Sequence, residues 1–164
     1  MTKKNFLNNA LLHHLSIQSP NPEGLSKFYS YTIGMEQKAI THQKKSKWMC
    51  FGNDRRIIFS LGEKKKLDFA AFSLKDINNL NDFKEIVLSN SVEIEDFETP
   101  FFEKGSFSVK DPDGNVLVFG LSNNKEGIAY SSTYKNSIYG PLQHLTFKSK
   151  NVERFEKFYE EKLG

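Results

Sequence analysis

The side chains best suited to metal or nucleophilic chemistry in this chain are four histidines and one cysteine. His13 and His14 stand side by side near the start, His42 lies next to a lysine-rich stretch, and His144 lies near the end. An imidazole nitrogen binds a borderline divalent ion such as Fe2+ or Zn2+ when further histidines or carboxylates complete the set. One histidine alone cannot hold such an ion. Cys50 sits in the apolar run Trp48-Met49-Cys50-Phe51 and reads as a buried small hydrophobe rather than a nucleophile. As the lone cysteine it also excludes an internal disulfide.

The position of the histidines says more than their number. Residues 12 to 34 and 142 to 164 are one segment written twice, at an offset of 130 without gaps, with ten of twenty-three positions identical. His14 pairs with His144, Asn21 with Asn151, the run Lys27-Phe28-Tyr29 with Lys157-Phe158-Tyr159, and Gly34 with Gly164. A repeated structural unit follows. The second copy stops at the last residue, so the chain is expected to end, or to have been cut, inside a domain.

The elements that must carry these residues follow from periodicity. Leu25, Phe28, Tyr29 and Ile33 fall at helical spacing between a Ser-Pro-Asn-Pro turn and Gly34, which predicts a short amphipathic helix over 22–33. Strands are expected at 12–17, 36–41, 47–51 and 56–61, with Gly52-Asn53-Asp54 as a hairpin turn. The order βαβββ then recurs: a strand at 67–74, a helix capped by Asp76, and strands at 92–97, 102–109 and 116–121. Asp111-Pro112-Asp113-Gly114-Asn115 reads as the turn between the last two. Alternation along the first strand sends His13 to the face opposite His14, where it is expected to be solvated or at an interface. His42 is also expected to be solvated.

The expected fold class is therefore α+β. Paired βαβββ modules, 10–62 and 66–122, form one domain over 10–122 with a curved-sheet cup between them. Residues 123–141, rich in Ser, Asn, Gly and Tyr, read as a linker, and 142–164 as the first βα unit of a second, incomplete domain. Phe147, Phe155, Phe158 and Leu163 of that unit need cover. They are expected to pack on the first domain, to complete a partner chain in a homodimer, or to fray.

At 164 residues there is room for one well-buried core. The mild formal charge of +3, with lysine clusters broken by acidic residues, argues against nucleic-acid binding. No apolar stretch reaches signal-peptide or membrane-span length, so a cytoplasmic protein without a membrane partner is expected.

The histidine-bearing first strand, the Phe-Tyr helix closed by Gly34 and the run FSVKDPDGNVLVFG over 107–120 together resemble the vicinal oxygen chelate superfamily. That superfamily includes glyoxalase I, bleomycin-resistance proteins and extradiol ring-cleaving dioxygenases. Residues 10–122 resemble one complete domain of it. The resemblance implies metal ligands on the first and last strands of each module, which on this sequence are His14, a position at or near Ser60, Phe69 and Val118. Since His14 alone among them binds such ions well, a free-standing glyoxalase is disfavoured and His14 is a weak metal candidate.

In two-domain extradiol dioxygenases of this superfamily the second domain holds Fe(II) through two histidines and a glutamate. The resemblance makes His144 the match to the first of those histidines, with two co-ligands beyond Gly164. The implied function is the metal-free N-terminal part of a ring-cleaving dioxygenase, an oxidoreductase acting on a catechol-like molecule. Fe(II) would serve the full enzyme, with no metal expected on this chain alone. The alternative is a metal-free module of the bleomycin-resistance type, binding a small aromatic molecule in a cup lined by Trp48, Phe59 and Phe69.

Overall fold

The protein's structure, a computed structural model, describes residues 10–42, 45–52, 55–123 and 140–164. The strand β1 (Leu11–Ser19) leads into helix α1 (Pro22–Ile33) and then β2 (Glu36–His42), β3 (Lys45–Gly52) and β4 (Arg55–Leu61). The same order returns in β5 (Lys66–Ser73), α2 (Ile77–Ser89), β6 (Glu95–Asp96), β7 (Phe107–Lys110) and β8 (Val116–Gly120). Helix α3 (Val152–Lys157) runs directly into a π-helical turn, Phe158–Leu163.

Local chemistry sets these boundaries. Asn21 caps α1 by accepting from the Gly24 amide at 2.9 Å, Pro22 supplies a residue that needs no amide hydrogen there, and Gly34 closes the helix at φ 76°. Asp76 caps α2 through the Asn79 amide at 2.9 Å. In the turn before β8, Asp111 Oδ1 accepts from the amides of Asp113 and Asn115, and Gly114 takes φ 86°.

The eight strands form one curved, unclosed sheet in the order β2-β3-β4-β1-β5-β8-β7-β6. At its centre β1 and β5 run antiparallel, and each pairs in parallel with the last strand of its own module, β1 with β4 and β5 with β8. Alternation then divides the side chains between two faces. On one face Cys50, Ile57 and Phe59 pack with Leu25, Tyr29 and Ile33 of α1, and Ala70, Leu117 and Phe119 pack with Leu80, Phe83 and Val87 of α2. The other face carries Met49, Ile58, Phe69, Ala71 and Val118, covered by Phe101 and Phe102 rather than by a helix.

Three expectations change. The strand expected over 92–97 shrinks to Glu95–Asp96, and that over 102–109 begins only at Phe107. Pro100 has no amide to give a ladder and Gly105 sits at φ 97°, so the chain between leaves the sheet and folds over it. In the terminal unit only the helix recurs, because residues 140–150 belong to no strand and a strand exists only through pairing. The expected linker over 123–141 and the turn residues Asn53-Asp54 fall largely or wholly outside the described residues.

The terminal helix packs on its own first domain. Leu163 is fully buried in the cluster of Leu80, Phe83 and Val87, with Phe158 and Tyr159 against it. Asn90 Nδ2 donates to Lys162 O at 2.9 Å, Lys162 Nζ donates to Asn90 O at 3.0 Å, and Tyr159 donates to Asp111 Oδ2 at 3.2 Å.

Candidate functional site

The face opposite the helices gathers the polar groups, and two irregularities in the β1·β5 ladder explain how. Leu12 pairs with Phe72 but His14 pairs with Ala71, so His13 is an extra residue on β1. Ser16 pairs with Phe69 but Ile17 pairs with Leu67, so Asp68 is an extra residue on β5. Each is a β-bulge, and each adds one polar side chain to the same face. His13 is therefore not on the solvated side that simple alternation assigns it. It is buried beside His14, with their Nδ1 atoms 2.8 Å apart.

Both rings are fully engaged. His13 Nε2 meets Ser122 Oγ at 3.0 Å and His14 Nε2 meets Thr99 Oγ1 at 2.7 Å, giving a chain Ser122–His13–His14–Thr99. Of the two Nδ1 atoms one carries a proton and the other accepts it, so the chain has two senses and needs both rings neutral or at most one charged. Burial pushes the His13 pKa down to about 4, and the charge of Arg56 adds to the effect. Burial drives His14 well below its ordinary value, with His13 and Arg56 pushing the same way. Phe69, Phe101 and Phe102 turn ring edges toward His14 at centroid distances of 5.7, 5.1 and 4.8 Å.

Beside this chain Asp68 is held by three side-chain donors: Ser16 Oγ and Ser60 Oγ on Oδ2, and Gln18 Nε2 on Oδ1. These hydroxyls come from β1 and β4, so the carboxylate ties the three central strands together. Cys50 lies under α1 and donates to the Ser26 carbonyl at 3.6 Å. Burial pushes its thiol up to about 12, which removes it from nucleophilic chemistry at neutral pH.

The four positions implied as metal ligands, His14, Ser60, Phe69 and Val118, do share this face, but only His14 carries a metal-binding group. Asp68 is saturated by its own donors. Among the described residues no three His, Cys, Asp or Glu side chains come together in a way that could hold a metal ion. The described residues of this face do not fit Fe(II), since both ring nitrogens of His14 are taken up by His13 and Thr99. His144 is exposed, on a stretch that forms no strand.

The aromatic trio does not form one surface. Trp48 pairs with Phe59 across β3 and β4, and both face α1, where Phe59 is fully buried against Tyr29 with ring centroids 5.1 Å apart. Phe69 alone faces the other way. There it meets Phe97 at 5.0 Å and the polar chain just described. His42 is half-buried rather than solvated, with Nδ1 closed off and unpartnered beside a space of about 10 Å3.

Sequence reading missed Asp68, Thr99, Ser122, Arg56 and the two phenylalanines that cover the face. A signal existed for Asp68: it is the one charged residue inside the otherwise apolar run 67–72. None existed for His13, because a bulge is set by pairing and not by its own residue.

This arrangement defines a domain of paired βαβββ modules with a phenyl-covered, hydrogen-bonded face, and the same fold is found in extradiol dioxygenases. A crystal structure of a catechol 2,3-dioxygenase superposes with a TM-score of 0.67 at 14% identity, covering 93% of this chain and 55% of that one. The 2,3-dioxygenase LapB from Pseudomonas sp. KL28 gives 0.69 at 15% identity, covering 94% and 58%. A variant of homoprotocatechuate 2,3-dioxygenase from B. fuscum gives 0.71 at 13% identity, covering 94% and 44%. This chain thus spans about half the length of these structural relatives. No family model and no curated protein sequence matches it. Among the described residues no helix is long and apolar enough to cross a membrane.

Proposed function

We propose that this chain is the metal-free N-terminal part of an extradiol-type, Fe(II)-dependent ring-cleaving dioxygenase acting on a catechol-like molecule, and that it is inactive alone. The observation that carries the reading is the open face of the first domain. Among the described residues that face carries two histidines bonded to each other and a carboxylate bonded to its own donors in place of a ligand set, and it is filled by the protein's own phenyl rings. A match along 93–94% of this chain to about half of each dioxygenase supports it further. In this reading His144 is the first iron ligand of a second domain, equivalent to His14 in the repeat. The aromatic-binding module finds less support, because Trp48 and Phe59 face α1 and Phe101 and Phe102 occupy the face that Phe69 shares.

The test is to read the source gene through and beyond codon 164, then assay the product of the whole reading frame. The expected result is a further domain with a histidine on a later strand and a glutamate near its end. That product should show Fe(II)-dependent oxygen uptake with catechol, abolished by His144→Ala. A frame that stops after Gly164, or an active longer product indifferent to His144→Ala, overturns the reading.

A further inference from the structure

Residues 97–102 cover the open face without belonging to the sheet that they cover. Phe101 and Phe102 bury their rings among Met49, Ile58, Phe69, Ala71 and Val118, at 1% and 5% exposure. The strand that precedes this segment is only two residues long, and the one that follows starts at Phe107. The segment is therefore held by individual hydrogen bonds rather than by a strand ladder. Thr99 Oγ1 meets His14 Nε2 and also accepts from the Phe101 amide at 3.3 Å. The Asn123 amide donates to Phe101 O and the Glu103 amide to Leu121 O, both at 2.9 Å. Phe102 bridges to Ser122, whose hydroxyl meets His13. At the base, the Phe97 amide donates to Ser106 O at 3.0 Å, and Gly105 supplies the left-handed bend.

We infer that residues 97–102 act as a plug latched to the sheet by the His13–His14 pair, opening as a unit while the sheet stays folded. The latch is on the sheet side, at both ring Nε2 atoms, and its partners are the hydroxyls of Thr99, inside the plug, and of Ser122, to which Phe102 bridges. Closed, the plug places its own aromatic rings where the face is most apolar. Open, it exposes an apolar floor around Phe69 and Val118 with the two imidazoles at its edge. The inference concerns the first domain alone and does not depend on whether a catalytic domain follows.

The test is native-state hydrogen exchange read by mass spectrometry across a urea series. Amides of Phe101, Phe102 and Glu103 should exchange through an opening with shallow urea dependence, while those of β1, β4 and β5 exchange only through global unfolding. Thr99→Val removes the hydroxyl shared by His14 and the Phe101 amide. It should speed exchange in 97–103 by about tenfold, the effect of one lost buried hydrogen bond, and leave the strand amides unchanged. The dye 8-anilinonaphthalene-1-sulfonate should then bind Thr99→Val more strongly than the wild-type protein. Exchange of 97–103 in step with the strands, in the wild-type protein or in the variant, overturns the inference. If Thr99→Val does not fold, the urea dependence of the wild-type protein decides alone.

Discussion

Lowering the pH from 7 to 5 should destabilise this protein through the tandem histidines, and the size of the effect follows from their burial. His13 falls from an ordinary value of 6.5 to about 4 on folding, and His14 moves the same way. Between those values the unfolded chain binds more protons than the folded one, so stability rises with pH. The contribution is fully present above about pH 6.5 and is lost progressively as pH falls toward about 4. For His13 the whole window corresponds to about 3 kcal/mol, each pH unit within it contributing ~1.4 kcal/mol. Urea unfolding curves at half-unit pH steps provide the measurement. His13→Gln should be less stable at pH 7, having lost a ring nitrogen to His14 or Ser122, but should lose less on acidification. Wild-type stability that is flat between pH 7 and 5, or a His13→Gln slope equal to that of the wild type, refutes the reasoning.

Other outcomes follow from particular contacts. Leu163→Ala should cost about 2–5 kcal/mol in urea unfolding, as for a buried leucine, and should open the terminal helix to trypsin at Lys157 and Lys162. An unchanged midpoint contradicts its place in the first-domain core. Asp68→Ala leaves Ser16, Gln18 and Ser60 without their acceptor and should cost about 3 kcal/mol or more, read as a lower melting temperature. Asp68→Asn, which keeps one acceptor, should cost less. Cys50 should react with a thiol-specific disulfide reagent only as fast as the protein unfolds, and rapid labelling of the native protein contradicts its burial under α1.

What could be read from the sequence was local. The helices α1 and α2 announce themselves by apolar spacing and by their ends, the Ser-Pro-Asn-Pro turn with Gly34 and the cap Asp76, since those signals lie within a few residues of the effect. The turn at Asp111–Asn115 was legible for the same reason. Features that depend on pairing partners were not. The bulge that turns His13 inward arises from the register of β1 on β5, and nothing in the two adjacent histidines encodes it. The facing of Trp48 and Phe59 followed alternation, but choosing which face of β3 and β4 lies under α1 required the tertiary arrangement. The strands expected over 92–97 and 102–109 are too long because Val92, Ile94, Phe102, Phe107 and Val109 supply apolar residues at strand-like density, while Gly105 breaks the second of them. Residues 142–149 repeat the sequence of β1, yet without the neighbours that β1 pairs with they form no strand.

Among the described residues, the face opposite the helices is a hydrogen-bonded, phenyl-covered surface that offers no ligand set for a metal ion. An anaerobic Fe(II) titration of this chain, followed by desalting, iron quantification and oxygen uptake with catechol, tests it most directly. No retained iron and no oxygen uptake above that of free Fe(II) are expected. Stoichiometric iron that supports catechol-dependent oxygen uptake, with both lost in His14→Ala, would contradict it.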